Sequence, residues 1–378
     1  MKAEPLETLV AVPFVDLGPT NEPVRRGVLE AVDRLITTGE FTNGPQVEAF
    51  ETMFAAYCGT RFCVGVASGL DALRLALIAA EVSSGSEVIV PANTFAATTE
   101  AVVQAGGLPV FVDADEADYN IDAAGVEAAV TSRTKCLLPV HLYGQLADVT
   151  ALAEVARRHD VLLIEDACQA HGATRHGRRA GSVGLAGAFS FYPTKNLGAS
   201  GDAGALTTDD EALATRVRAL REHGQGRKYE HDAVGYTGRL DTIQALVLSQ
   251  KLPHLERWNE ERRQAAAFYT SALAGVGDLR LPPVSAGSEP VWHLYVVRTA
   301  KPESLASFLA ERGIATGRHY PQPLHVSPAF AYLGYKEGAF PVAEALAREC
   351  LSLPLFPGIS EGQLAYVVEA VEGYFRGG

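Results

Sequence analysis

The chain has 378 residues, about twice the length of a usual single domain, so we expect one large and one smaller domain. Hydrophobic residues make up 47% and charged residues 20% of it, as in an ordinary globular protein with a sizeable core. The formal net charge of −13 argues against sequence-independent nucleic-acid binding, because such binding depends on a basic surface.

Cysteine spacing and hydropathy predict the compartment. No two cysteines form a CxxC pair, which favours free thiols in a reducing compartment over a disulfide framework or a zinc site. The five are Cys58, Cys63, Cys136, Cys168 and Cys350. The first seven residues include two glutamates where a secretory signal needs a continuous apolar segment. No segment has the length of a membrane span. We therefore expect a cytoplasmic protein that binds neither nucleic acid nor a membrane.

From about residue 68, helical patterns alternate with short apolar segments. Helices are predicted over 71–80, 94–104, 122–130 and 149–158, and strands over 87–90, 109–112, 136–140 and 161–164. Strands that are apolar on both faces and alternate with helices predict an α/β fold with a parallel sheet covered by helices. Two more predicted strands, 188–192 and 203–207, follow without a long helix between them, so the sheet is expected to be mixed there.

The C-terminal part predicts a second, smaller α+β domain. Its predicted elements are a strand over 291–297 and helices over 303–312, 342–351 and 361–374. Before them come helices over 210–222 and 239–251, a long helix over 255–273 after Pro253, and a Gly/Pro/Ser-rich connection over 274–290. We therefore predict a large domain over 1–252, with an N-terminal arm, and a small domain over 253–378 that includes the linking helix.

Lys195 and Asp166 suggest a pyridoxal phosphate (PLP) enzyme. Lys195 lies in a polar turn after an apolar strand, in Phe-Ser-Phe-Tyr-Pro-Thr-Lys-Asn-Leu-Gly (189–198), where it is a candidate Schiff-base nucleophile. Asp166 ends another apolar strand, and a carboxylate there costs desolvation unless it meets a cation, such as a protonated pyridine nitrogen. Asp166 alone is more typical of a cap on the following segment. The two together predict PLP, whose protein partners are a lysine and an acid facing the ring nitrogen.

A phosphate site is predicted at Ala-Ser-Gly-Leu-Asp-Ala-Leu (67–73), where a small-residue turn runs into a helix. Free N–H groups at a helix N-terminus bind anions, and a glycine lets a phosphate approach closely. An ordinary helix capped by Ser68 is the commoner meaning of such a segment on its own. Ser190 could add a hydroxyl to the same phosphate.

Three further residues are candidates for contacts with the cofactor ring. Gln169 and His171 follow Asp166 and could meet the ring hydroxyl or support the carboxylate. Phe95 follows a predicted strand and could stack on the ring, with a buried core position as the alternative.

An ordered set of motifs covers nearly the whole chain and is highly specific. It comprises Thr-Gly-Glu-Phe-Thr-Asn-Gly-Pro (38–45), Ala-Ser-Gly-Leu-Asp-Ala-Leu (67–73), Glu-Asp-Ala-Cys-Gln-Ala-His-Gly (165–172), Ser-Phe-Tyr-Pro-Thr-Lys (190–195), Gly-Arg-Leu-Asp-Thr-Ile-Gln-Ala (238–245) and His-Tyr-Pro-Gln-Pro-Leu-His (319–325). With these motifs the chain resembles the DegT/DnrJ/EryC1/StrS family of sugar aminotransferases. The resemblance implies the fold-type I PLP-dependent aminotransferase architecture, with a mostly parallel sheet of the seven-stranded type.

The resemblance also implies residue roles. Lys195 would bind PLP covalently, Asp166 would face the pyridine nitrogen, Gln169 would lie near the ring hydroxyl and Phe95 would stack on the ring. The phosphate would be held by Ser68, Gly69, Leu70 and Ser190. The family usually forms homodimers with each active site at the subunit interface, and the segment 235–241 would come from the partner.

Two positions depart from the family pattern. Leu70 stands where threonine is usual, which removes one side-chain contact to phosphate. Thr237 stands where the family has an asparagine that reaches the cofactor phosphate across the dimer, so a shorter or water-bridged contact is expected there.

By the resemblance, L-glutamate donates the amino group to a nucleotide-linked keto-6-deoxy-sugar, in deoxyamino sugar and antibiotic biosynthesis. Lys228 and Tyr229, in the loop 223–231, look like those of enzymes that aminate carbon 3 of a dTDP-hexose, although the composition alone is typical of a solvated loop. The sugar pocket could be lined by His319, Tyr320 and His325.

Several alternatives stay open. Amination at carbon 4 or of a keto-inositol uses the same scaffold, and a regulator could have kept the fold without turnover. A PLP enzyme of sulfur amino acids is disfavoured because no cysteine lies in a mobile Gly-rich loop. The dehydratase branch of the family carries histidine at the position of Lys195. The lysine in this chain therefore predicts transamination.

Overall fold

The structure, a computed structural model, describes residues 12–377. The strands are β1 (Phe62–Val66), β2 (Glu87–Pro91), β3 (Leu108–Val112), β4 (Thr134–Leu137), β5 (Leu162–Asp166), β6 (Thr174–Arg175), β7 (Arg178–Arg179), β8 (Ala186–Ser190), β9 (Gly204–Thr208), β10 (Gln225–Arg227), β11 (Glu230–His231), β12 (Ser288–Glu289), β13 (Tyr295–Arg298) and β14 (Cys350–Leu353). The helices are α1 (Gly18–Asn21), α2 (Arg25–Thr38), α3 (Pro45–Cys58), α4 (Gly69–Ala79), α5 (Ala96–Gln104), α6 (Ala123–Ala129), α7 (Val149–His159), α8 (Glu211–Arg221), α9 (Thr242–Lys251), α10 (Leu255–Ala272), α11 (Pro302–Ala310), α12 (Pro341–Glu349) and α13 (Glu361–Gly377).

A seven-stranded sheet in the order β1-β9-β8-β5-β4-β2-β3 forms the centre of the molecule. Neighbours from β8 to β3 pair in parallel, whereas β9 is antiparallel to both β8 and β1. This confirms the predicted α/β fold and the mixed pairing after residue 188. The strands are apolar on both faces because helices cover both sides, as in other parallel sheets.

Side-chain caps set several helix starts. Ser68 caps α4 by accepting from the backbone N–H of Asp71, and Asp148 and Asp210 cap α7 and α8 in the same way. Such caps satisfy N–H groups that have no acceptor inside the helix.

The region before residue 68 was given no elements from its sequence, and there the structure adds α1, α2, α3 and β1. On α3, Phe50 and Phe54 are fully buried against Phe191, and Phe54 also meets Phe189 edge-on. The helix therefore supports the strand and turn that lead to Lys195. Residues 1–11 of the predicted N-terminal arm lie outside the described residues.

A second core lies in the C-terminal part, around α10, α11, α13 and the antiparallel pair β13–β14. The predicted helix over 342–351 ends at Glu349, because the chain continues as β14 and pairs with β13. The predicted strand over 291–297 is shorter and covers only Tyr295–Arg298. The domain boundary at residue 252 stays a prediction.

No helix among residues 12–377 combines the length and apolar character needed to cross a membrane.

Candidate active site

Lys195 and Asp166 lie near each other at the carboxyl edge of the central sheet. Asp166 ends β5, and the neighbouring parallel strand β8 ends at Ser190, five residues before Lys195. The turn is held by the backbone N–H of Lys195, which donates to the carbonyl of Tyr192 at 2.8 Å. Open α/β sheets place their ligands at this edge.

The Asp166 carboxylate is buried without a cation. Its Oδ2 accepts from Thr98 Oγ1 at 2.8 Å and its Oδ1 from the backbone N–H of Cys168 at 3.1 Å, and the residue is only 5% exposed. No lysine, arginine or histidine of the described chain lies within ion-pair distance of it. Burying a carboxylate in this way is costly unless a cation completes the site, and a protonated pyridine nitrogen would do so.

Burial lowers the pKa of Lys195, while the nearby Cys168 and Asp166 partly oppose that shift. A lowered pKa increases the fraction of neutral amine, which is the form that attacks a carbonyl and accepts a proton. The site thus combines an amine whose pKa is lowered with a carboxylate that has hydrogen-bond donors but no ion-pair partner in the described chain.

Three histidines, of which His171 is buried and the other two are partly buried, surround this amine. Desolvation, followed by the positive charge of Lys195, lowers the pKa of His171 to about 3 and that of His319 to about 4. The same two causes hold the pKa of His293 well below its usual value. All three rings are therefore neutral at pH 7.

The N-terminus of α4 forms an anion cradle beside Ser190. A side chain at Gly69 would put its Cβ 2.7 Å from the Cβ of Ser190 and 2.8 Å from the Sγ of Cys168, so only glycine fits there. The N–H groups of Gly69 and Leu70 open the helix and have no acceptor within it. A phosphate suits this geometry.

Gln169 links the loop after β5 to the C-terminal part of the chain. Its Oε1 accepts from the backbone N–H of Tyr143 at 2.7 Å, and its Nε2 donates to Tyr320 Oη at 3.0 Å. Phe95 is 57% exposed, and its ring lies 5.6 Å from that of Tyr320. The structure thus brings Gln169, Phe95 and Tyr320 together.

His171 and His325 are both buried, and their roles toward the cofactor and the sugar stay predictions. His171 makes no hydrogen bond to Asp166; its ring packs against Phe189 and Phe191, with both nitrogens buried and unpartnered in the part of the chain described. His325 is 1% exposed, and its Nε2 lies 3.0 Å from Glu344 Oε1, a contact that stabilises its own segment.

The family model for DegT/DnrJ/EryC1/StrS aminotransferases matches residues 24–372. The chain belongs to this family. It is 47% identical, over 97% of its length and 99% of the relative, to a "Pleiotropic regulatory protein" of Geobacillus stearothermophilus. It is 48% identical, over 95% of both chains, to a dTDP-3-amino-3,4,6-trideoxy-alpha-D-glucose transaminase of Streptomyces venezuelae. The crystal structure of S. venezuelae DesV with a ketimine intermediate superposes with a TM-score of 0.94 at 47% identity, covering 96% of this chain and 98% of that one.

The protein is therefore an aminotransferase of this family, and PLP is its cofactor. Solved structures similar to it include forms with pyridoxamine phosphate and with PLP. The unpaired Asp166, the Lys195 amine and the cradle at Gly69 fit the three parts of that group, namely its ring nitrogen, its aldehyde and its phosphate.

Another set of predicted residues of the aminotransferase lies in the largely exposed segment 223–237. Lys228 and Tyr229 sit on the β10–β11 hairpin, where Tyr229 is 80% exposed, and they line a surface cavity of about 410 Å³ together with Asn43 and Glu222. Thr237 Oγ1 contacts His223 Nε2 at 3.2 Å. Their roles toward sugar or phosphate stay predictions.

Thr98, His293 and Arg262 of the aminotransferase were missed by sequence reasoning. Thr98 orients Asp166, and His293 Nδ1 lies 3.2 Å from the Oδ1 of Asn196, the residue after Lys195. None of the three residues stands in a motif with Lys195, so only packing brings them to the site.

Proposed function

We propose that this aminotransferase moves the amino group of L-glutamate to carbon 3 of a dTDP-linked keto-6-deoxyhexose. The observation that carries the proposal is the Lys195 amine beside a buried carboxylate that lacks a cation. The name of the S. venezuelae relative, a dTDP-3-amino sugar transaminase, supports the choice of substrate and carbon.

Bound PLP supplies an electron sink that stabilises negative charge at the carbon losing a proton. Asp166 holds the ring nitrogen protonated, and Thr98 orients the carboxylate by donating to Oδ2. The Nζ of Lys195 accepts the α-proton of the donor and delivers a proton to the acceptor in the second half of the cycle. Its lowered pKa favours the neutral form that begins this transfer.

We also propose a homodimer in which the hairpin of one subunit completes the partner's active site. The hairpin carries exposed Tyr229, and Val234 follows it at 90% exposure. Leu29, Ile36 and Phe41 are exposed apolar residues in the N-terminal part. Leu29 and Ile36 lie two turns apart on α2 and therefore share one face, and a contiguous exposed apolar patch typically marks a protein contact.

Mixing Lys195→Ala with Tyr229→Ala tests the shared site, with turnover measured at a sugar concentration well below KM, where Tyr229→Ala should be about tenfold slower than wild type. Lys195→Ala removes the amine and Tyr229→Ala alters the hairpin, so a mixed dimer would contain one site with both native residues. Recovery of turnover on mixing supports the shared site. No recovery, with mixed dimers shown by mass spectrometry, contradicts it.

We propose that the enzyme works in the cytoplasm. All five cysteines are free, and four of them are buried, as expected for thiols in a reducing compartment. Fractionation of the native host tests this location.

The decisive experiment incubates the PLP-loaded protein with glutamate and a panel of nucleotide keto-sugars, and locates the new amino group by NMR. A 3-amino product from a dTDP-hexose supports the proposal. A 4-amino sugar product would instead assign the enzyme to carbon 4, and an amino-inositol product would assign it to a keto-inositol. A regulator without chemistry would leave the visible band of the cofactor unbleached by glutamate.

A further inference from the structure

Arg262 is a buried cation without an anionic partner. It lies on α10, is 3% exposed, and no carboxylate of the described chain pairs with it. Its Nη1 donates to the carbonyls of Trp292, His293 and Leu355 at 3.2, 3.3 and 3.0 Å. Its Nε is buried without a partner among these residues. Burial lowers the pKa of this guanidinium only to about 10, so the group stays charged at pH 7.

Arg262 lines a cavity of about 90 Å³ next to the catalytic turn. Thr194, the residue before Lys195, forms one wall, and His293 and His319 form others. The N-terminal segment covers the cavity with Phe14 and Val15, and the Phe14 ring stacks on His319 at 5.6 Å. The lining thus combines one cation, one hydroxyl and two imidazoles.

Charge and size together indicate the ligand. The two histidines are neutral, so the guanidinium supplies the only full charge among the lining groups just named, and an anion would balance it. The space equals roughly three water volumes, which suits a carboxylate and is too small for a nucleotide diphosphate. Arginine binds carboxylates with two parallel N–H donors, which makes it well suited to this task.

We propose that the Arg262 cavity binds a carboxylate of the amino donor and of its 2-oxo acid product. This inference rests on the proposed function only in naming the donor. Arg262 and Thr194 hold the carboxylate, while His293 and His319 donate or accept hydrogen bonds as neutral rings. The protein has a net charge of −13, and Arg262 provides a local positive charge that can bind an acidic substrate.

Binding of glutarate, an unreactive five-carbon dicarboxylate, to the PLP-loaded protein tests the proposal by isothermal titration calorimetry. We expect wild type to bind glutarate and Arg262→Gln to bind it roughly tenfold or more weakly, since one partner of a charged hydrogen-bonded pair is lost. Arg263→Gln is the matched control. It makes the same change one residue further along α10, where Arg263 pairs with Glu260 at the surface, and glutarate affinity should be unchanged.

Arg262 also holds three carbonyls, so its variant is checked for a native melting temperature and cofactor spectrum. Should Arg262→Gln not fold, Val15→Phe decides in its place, because it fills the cavity and leaves the guanidinium intact. We expect Val15→Phe to weaken glutarate binding by a similar factor. The proposal is overturned if the wild-type protein does not bind glutarate. It is also overturned if Arg262→Gln, or Val15→Phe where Arg262→Gln does not fold, binds glutarate with wild-type affinity.

The test separates this inference from the proposed function. Failure to aminate any nucleotide sugar would contradict the proposed function, while loss of glutarate affinity in Arg262→Gln would still support the anion site. Conversely, native turnover with unchanged glutarate affinity and glutamate KM in Arg262→Gln would refute the anion site alone.

Discussion

The surroundings of Lys195 and the segment 223–237 differ in how the chain holds them. Around Lys195, the ends of β5 and β8 and the start of α4 place Asp166, Ser190 and Gly69 on a buried sheet edge. The segment 223–237 is mostly exposed and projects as the β10–β11 hairpin, whose register is irregular between Gln225 and Arg227.

The difference indicates that the two regions have different functions. Chemistry needs groups held in fixed positions, which a packed sheet edge provides. Substrate choice is commonly carried by loops on a rigid scaffold, which can change sequence without disturbing the core. Variants in the first region should therefore abolish the reaction, and variants in the second should change which substrate is used.

The largest effect is expected for Lys195→Ala. Loss of the amine should reduce transamination by about 10³-fold or more, because both covalent binding of the cofactor and proton transfer depend on it. Turnover with a coupled assay and circular dichroism measure this. Lys228→Ala, a lysine-to-alanine change on the hairpin, is the control and should retain the glutamate half-reaction. Near-native transamination by Lys195→Ala would contradict the assignment.

Asp166→Asn should slow the reaction by about 10²-fold and weaken cofactor retention. The amide keeps the shape but removes the charge that stabilises a protonated ring nitrogen. Stopped-flow absorbance and dialysis of the cofactor measure the two effects. Asp202→Asn, on an exposed residue beyond the Lys195 turn, should leave both unchanged. Equal kinetics for the Asp166 variant and wild type would rule out this role.

Acidification should destabilise the fold partly through His171. Its pKa is depressed to about 3 in the folded state, against 6.5 when unperturbed, so only the unfolded state takes up the proton between these values. The contribution to stability is complete above pH 6.5 and is lost as the pH falls toward 3, by about 2 kcal/mol at pH 5.

His171→Phe should therefore flatten the dependence of the free energy of unfolding on pH between 7 and 5, as measured by urea titration. The exposed hairpin residue His231 provides the control, since water hydrates its ring in both states. His231→Phe should keep the wild-type slope. An unaltered slope in His171→Phe would show that its ring is not held neutral.

The smallest effect is expected for Tyr229→Ala. It should raise KM for the nucleotide sugar about tenfold, the usual size of one lost aromatic contact, and leave the glutamate half-reaction unchanged. Steady-state kinetics with each substrate varied in turn measure the split. Tyr332→Ala, on another exposed tyrosine, should change neither. A slower glutamate half-reaction in Tyr229→Ala would remove the separation between the two regions.

Much of the central sheet could be predicted from the sequence. Its strands are short apolar segments bounded by helical patterns, and each carries its signal within a few residues. Lys195 and Asp166 were predicted for the same reason, because Asp166 ends one such strand and Lys195 lies in the turn after another. The helix α3 was missed although Phe50 and Phe54 have helical spacing, since no motif near them called for an element.

Other features depend on contacts between distant segments, so only the tertiary structure decided them. The helix predicted over 342–351 included Cys350 and Leu351, yet these two residues begin β14 because β13 offers a strand to pair with. His325 stood in a motif with His319, but burial beside Glu344 gives it a different environment. The Arg262 cavity joins α10, the Lys195 turn and the N-terminal segment, which no local pattern connects. Local periodicity determines elements, whereas burial and charge at a site depend on which elements pack together.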